Sequence, residues 1–252
     1  MNDRHRAIRR TGTLLTDLVI SLVVLALTAW GLDWAARISA EGVVARSVQH
    51  AQQLTQRPNV DVHGWFFLPQ VVTGRYDKVD ITLRNLREGT LRLSSVTAHL
   101  QGTHVPLHSV VTNGVSTILV EQSRETLVFT YAALDTYLKA QGSPFTLAAG
   151  PTGQVKVTGH ATVLGKSFAV SADATVRPVP GYLQITPTQL DTGSSLDAAS
   201  RVLLGQRLTL AIPTAMFPFG QQVTSISPGR TTLTIRASGI NVLISLPPKG
   251  RR

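Results

Sequence analysis

The sequence predicts an α+β protein, with one membrane-crossing helix at the N-terminus and then a long, curved, mostly antiparallel sheet packed around a few helices. Three observations predict it. A long apolar run stands near the N-terminus, apolar and polar residues alternate over most of the remaining chain, and glycines separate the alternating stretches. Composition agrees: hydrophobic residues make up 43%, enough for a core, and charged residues only 15%, too few for a disordered chain. Cysteine is absent, so the fold has no disulfide, no thiolate metal site and no cysteine nucleophile.

Residues 14–32 read LLTDLVISLVVLALTAWGL. At 1.5 Å per residue this run makes about 28 Å of helix, close to the hydrocarbon thickness of a bilayer. Asp17 falls in its first turn, where the helix dipole favours a carboxylate, and Trp30 and Trp34 fall at its far end, where indoles prefer the head-group layer. Arg4, Arg6, Arg9 and Arg10 precede the run, whereas Asp33, Arg37 and Glu41 after it roughly cancel. The positive-inside rule then puts the N-terminus in the cytoplasm and the rest on the extracytoplasmic, periplasmic side. The rival is a cleaved signal peptide, but the contexts around Ala29, Ala36 and Ala40 offer no convincing cleavage site. The expected organisation is a basic tail (1–13), a transmembrane anchor (14–34), a helical lead-in (35–58), a β-rich domain (59–246) and a basic C-terminal tail (247–252).

In the lead-in, Ile38, Val44, Val48, Ala51 and Leu54 recur at helical spacings and Pro58 stops the run. From residue 59 the period becomes two. Val79, Ile81 and Leu83 alternate with Asp80, Thr82 and Arg84 in a strand over 77–84, and a turn containing Gly89 leads to a strand over 91–101. The phase of that second strand slips at Ser94-Ser95, as at a β-bulge. The clearest hairpin is 155–176, whose apolar face takes Val155, Val157, Ala161 and Val163, then Phe168, Val170, Ala172, Ala174 and Val176. Further strands are expected at 116–122, 125–130, 182–190, 207–212, 222–226 and 231–238. Helices are expected at 131–141 and 194–204, stopped by Gly142 and Gly205.

Chemistry is sparse. There is no phosphate-binding glycine loop, nucleophile elbow or HExxH motif. His99, His104 and His108 are close in sequence, but His99 and His104 have opposite strand parity, which disfavours a shared metal. Asp77 and Asp80 point to opposite faces and do not form a carboxylate pair. The reading is therefore no enzyme, no metal and no cofactor. The formal charge is +10, and from Trp34 onward 20 Lys/Arg face 11 Asp/Glu, which invites anionic partners. No aromatic residues interleave with the basic ones as a nucleic-acid surface requires.

Two clusters stand out in a chain poor in aromatics: Trp65, Phe66, Phe67 and Leu68, and Met216, Phe217 and Phe219. Such clusters plug the end of a core, or else form lips of an apolar cavity or a membrane-facing loop. With Arg75 and Lys78 close behind, the second reading gives an acyl-chain binder whose basic rim attracts phosphate.

The stretch 59–107, NVDVHGWFFLPQVVTGRYDKVDITLRNLREGTLRLSSVTAHLQGTHVPL, resembles the LmeA-type phospholipid-binding proteins of actinobacterial cell envelopes. The shared pattern is a strand, a Gly-aromatic-Pro/Phe-Phe-Leu turn, a short helix, a Gly-Arg-Tyr-Asp segment and a strand pair ending near Val-Pro-Leu. Gly64, Phe67, Leu68, Gly74, Tyr76, Asp77, Val105, Pro106 and Leu107 carry it, while Trp65-Phe66 departs from the more usual Phe-Pro. The resemblance implies a fold similar to tubular lipid-binding domains, in which a long sheet wraps a helix and leaves an apolar groove. It also implies a phospholipid or envelope glycolipid as partner and a role in lipid or lipoglycan assembly. The alternative is a non-catalytic envelope scaffold for a protein or glycan.

Overall fold

The structure, a computed structural model, describes residues 4–51, 54–105, 117–151, 153–163, 166–191, 198–214 and 221–245. Its first element is one unbroken helix, α1 (Arg4–Ala51), so the apolar run and the lead-in as far as Ala51 are a single rod with no linker between them. The expected helical lead-in is not helical over residues 54–58. Strands β1 (Asn59–His63), β2 (Arg75–Glu88), β3 (Leu91–His104), β4 (Thr117–Thr130), β10 (Gln222–Pro228) and β11 (Thr232–Ser245) form a six-stranded sheet in the order β1-β2-β3-β4-β11-β10. Strands β5 (Phe145–Ala149), β6 (Val155–Val163), β7 (Lys166–Val179), β8 (Tyr182–Asp191) and β9 (Leu210–Pro213) form a second sheet in sequence order. Every pairing is antiparallel. The predicted curled antiparallel sheet is thus present, divided in two. The helices α2 (Phe67–Thr73), α3 (Tyr131–Ala140) and α4 (Ala198–Leu208) pack against these sheets.

The core has two parts. The larger buries Leu86, Leu91, Leu93, Val96, Leu127 and Phe129 of the first sheet against Leu134 and Tyr137 of α3, Val155, Val157 and Ala174 of the second sheet, and Leu204 and Leu208 of α4. The smaller packs Val60, Val62, Val79, Leu100, Val120 and Ile244 against Phe67 and Ala45, with Ala36 and Ala40 of α1 beside them. Small residues let α1 lie close on the sheet. For that reason Ile38 and Val44 of the predicted stripe point outward, and alanines take the inward face.

Three local expectations are corrected. The two strands predicted at 116–122 and 125–130 are one, β4, because inward Ser123 continues the ladder between them. The phase slip at Ser94-Ser95 is real, but the β2–β3 register never shifts, from Arg75↔His104 through Glu88↔Leu91. Instead both strands change face together: Leu83 and Leu86 are both buried on β2, as are Leu93 and Val96 on β3, and Asn85 takes a left-handed φ of 54°. A sharp local twist replaces the bulge. Finally, α4 runs through Gly205 to Leu208, displacing the predicted start of the next strand at Arg207. Leu204 and Leu208, one turn apart, are both fully buried, and that burial outweighs the roughly 1 kcal/mol a helical glycine costs.

Candidate functional site

The site is built where α1 meets the domain. Asp33, Arg37 and Glu41 are spaced four apart and so share one face of α1. The turn leading into α2 has no cap of its own, since Phe66 at its N-cap makes no side-chain cap bond. Asp33 supplies it from the other helix. The Phe67 and Leu68 N–H groups donate to Asp33 Oδ1 at 2.8 Å each, and Phe67 N–H also reaches Oδ2 at 2.9 Å. A carboxylate here meets the unsatisfied amides and the positive end of the α2 dipole at once. One turn on, Arg37 donates to the Gly64 carbonyl at 2.8 Å, and one turn further Glu41 accepts from the Val62 N–H at 2.8 Å. Three successive turns of α1 therefore clip three successive points of the returning chain.

The clipped turn is braced from within. Gln70, buried, donates to the Phe66 carbonyl at 2.9 Å and accepts from the Asp77 N–H at 3.1 Å. Gly64 has φ 141°, and a Cβ there would collide with the Gln70 amide. Of the predicted aromatic cluster only Phe67 is core, 4% exposed with its ring 6.3 Å from that of Tyr76. Trp65 is 93% exposed, and Phe66, Leu68 and Val72 are open with it. Asp33, which caps this turn, directly follows Leu32 and lies between the exposed Trp30 and Trp34 in sequence. Met216, Phe217 and Phe219 lie outside the described residues, as do His108, Pro106 and Leu107.

The predicted basic rim is engaged with carboxylates. Arg75 pairs with Glu121 at 3.1 Å, and Lys78 with Asp80 at 3.1 Å. His63 and His99 also sit on Asp80, at 3.0 and 2.7 Å. Burial raises the Asp80 carboxyl, but the hydrogen bonds from His99 and Lys78 outweigh it and hold the group below the usual range. Among the described residues no group of three or more His, Asp or Glu is placed to hold a metal ion. An open hollow on the second sheet, lined by Lys156, Asp173, Thr188 and Arg201 among others, is polar and unsuited to acyl chains.

Inside, the first sheet changes character between its two apolar parts. The row Val96, Leu127 and Ile235 gives way to Ala98, Glu125 and Ala237, then to Leu100, Ser123 and Gly239. Side chains become short, and Glu125 is 2% exposed among them. Gln221 donates to Glu125 Oε1 at 2.7 Å, and among the described residues Oε2 has no hydrogen-bond partner. Desolvation pushes this carboxyl up to about 8, so it is neutral at pH 7.

Sequence reasoning found the aromatic turn but missed the clip and Glu125. The signals were present. A charged stripe at four-residue spacing follows the apolar run, and Glu125 shares its strand parity with Leu127 and Phe129.

A β-rich domain built on the C-terminal half of a long helix whose earlier part is apolar, with bulky side chains open beside that helix, defines a binding module. The family model of LmeA-like phospholipid-binding proteins matches residues 31–238, and the chain belongs to that family. Nothing among curated proteins or solved structures matches. The family is a binding one, which makes phospholipid the partner class, and its match begins at Gly31, two residues before the first clip.

Proposed function

We propose that this chain is a membrane-tethered, extracytoplasmic phospholipid-binding protein, a binder rather than an enzyme, serving lipid handling in the cell envelope. The observation that carries the reading is the continuity of α1. The stretch within Asp17–His50 is long and apolar enough to cross a bilayer, and the same helix lies against the core of the phospholipid-binding domain. With no linker between them, the domain stays beside the bilayer in which its ligand resides. From Leu18 to Leu32 the apolar side chains of α1 are exposed, which suits lipid contact and not a soluble core helix. Four arginines before the span support an outside domain by the positive-inside rule.

In this reading acyl chains are withdrawn onto the apolar inner face of the sheet, each buried CH₂ contributing about 0.8 kcal/mol. Trp65, Phe66 and Leu68 flank the path. The test uses a chain beginning at Gly31, which keeps every clip residue, expressed in a lipid-containing host. Solvent extraction and mass spectrometry are expected to recover about one phospholipid per folded chain. A folded domain that yields none would overturn the reading and favour a protein or glycan scaffold.

A further inference from the structure

We infer that the α2 turn is a membrane ledge: Trp65, Phe66, Leu68 and Val72 sit in the head-group layer of the bilayer that α1 crosses. The inference rests on α1 being the anchor and adds the surface by which the domain itself meets phospholipid. Register sets the height. Residue 32 ends the apolar run, and Asp33, only about 1.5 Å further along the axis, holds the Phe67 and Leu68 amides. The ledge therefore cannot stand far above the interface while the clip is closed. Glu41, about 12 Å above Asp33, holds Val62, so the chain descends beside α1 and turns back at the foot.

The chemistry of the ledge fits a lipid surface. Trp65 is 93% and Val72 75% exposed, with Phe66 and Leu68 between them in sequence, while Phe67 and Gln70 fix the opposite side of α2 to the sheet. An apolar patch bearing an indole, contiguous with an apolar span, is the composition that partitions into the bilayer interface. Trp30 and Trp34 on α1 mark the same level. A soluble protein partner would need no such alignment with the end of the span.

The chain has three tryptophans, so Trp30→Phe/Trp34→Phe leaves Trp65 as the single reporter, and the exposed rings removed hold no core together. This full-length variant is reconstituted in phosphatidylcholine–phosphatidylglycerol vesicles, with or without acyl-chain bromine near the head-group end. Trp65 emission is expected to fall at least twofold with the brominated lipid and to resist aqueous acrylamide. Adding Asp33→Ala and Glu41→Ala, with circular dichroism to confirm a folded domain, is expected to reverse both. Trp65 open to acrylamide and insensitive to bromine overturns the ledge. Shielding from acrylamide without bromine quenching also overturns it and indicates a protein contact. A parallel variant that keeps only Trp30 separates the two readings: if Trp30 is quenched and Trp65 is not, the ledge alone fails. If neither is quenched, the anchor fails and the ledge falls with it.

Discussion

Glu125 keeps its proton at neutral pH because, among the described residues, the sheet interior offers it one amide donor and no ion pair. The consequence for stability has a definite sign. Below the ordinary value of 4.5 both the folded and the unfolded chain carry the proton. As pH rises toward about 8 the unfolded chain releases it and the folded chain does not, so stability falls across that window. A shift of this size corresponds to about 5 kcal/mol once pH is above both values. Glu125→Gln, always neutral and nearly the same shape, is expected to remove this slope. Its melting temperature should exceed that of the wild type by roughly 8–16 °C at pH 8 and much less at pH 5. An equal gap at both values would show that Glu125 ionises freely in the folded state.

The element that ties the sheets together is α3. Thr130 caps it by accepting from the Ala133 N–H at 3.2 Å, and Tyr131, Leu134, Tyr137 and Leu138 turn inward. Leu134→Ala is expected to cost about 2–5 kcal/mol, read from chemical denaturation, because a fully buried leucine leaves a cavity between two sheets that cannot both close on it. This helix was legible in the sequence, since its apolar residues recur at three and four and Gly142 takes a positive φ just beyond its end. The 155–176 hairpin was legible for the same kind of reason: period two ran unbroken, and Val155, Val157, Ala172 and Ala174 are buried as alternation required. Where prediction failed, a distant contact decided. Gly205 looked like a stop, but burial of Leu204 and Leu208 carried the helix through it. Phe67 and Trp65 read alike in sequence, and only the approach of α1 separates a core ring from an open one. A substitution such as Phe67→Asp would therefore unfold the turn, whereas Trp65 is free to change.

At the scale of the molecule, α1 belongs to both the apolar stretch long enough to cross a membrane and the domain. Its last turns help close the smaller core through Ala36, Ala40 and Ala45, and its charged stripe closes the foot. The domain is therefore expected to lose order locally when the helix is cut within that stripe. A chain beginning at Ser39, without Asp33 and Arg37, should retain the larger core but exchange the Phe67 and Leu68 amide hydrogens at least tenfold faster than a chain beginning at Gly31. Unchanged protection would mean that α2 holds itself in place.

Because the rod is unbroken, the domain inherits the phase of the helix as well as its height. Each residue added between the span and Asp33 would turn the whole domain by about 100° around the anchor axis and raise it by about 1.5 Å. One extra residue would aim the exposed indole at a different quarter of the compass. Four would bring it back to within about 40° of its old bearing but lift it by about 6 Å, more than the height of a helical turn. In the proposed reading the anchor works as an indexing shaft as well as a tether, and the register of the clip on the helix is a setting of direction.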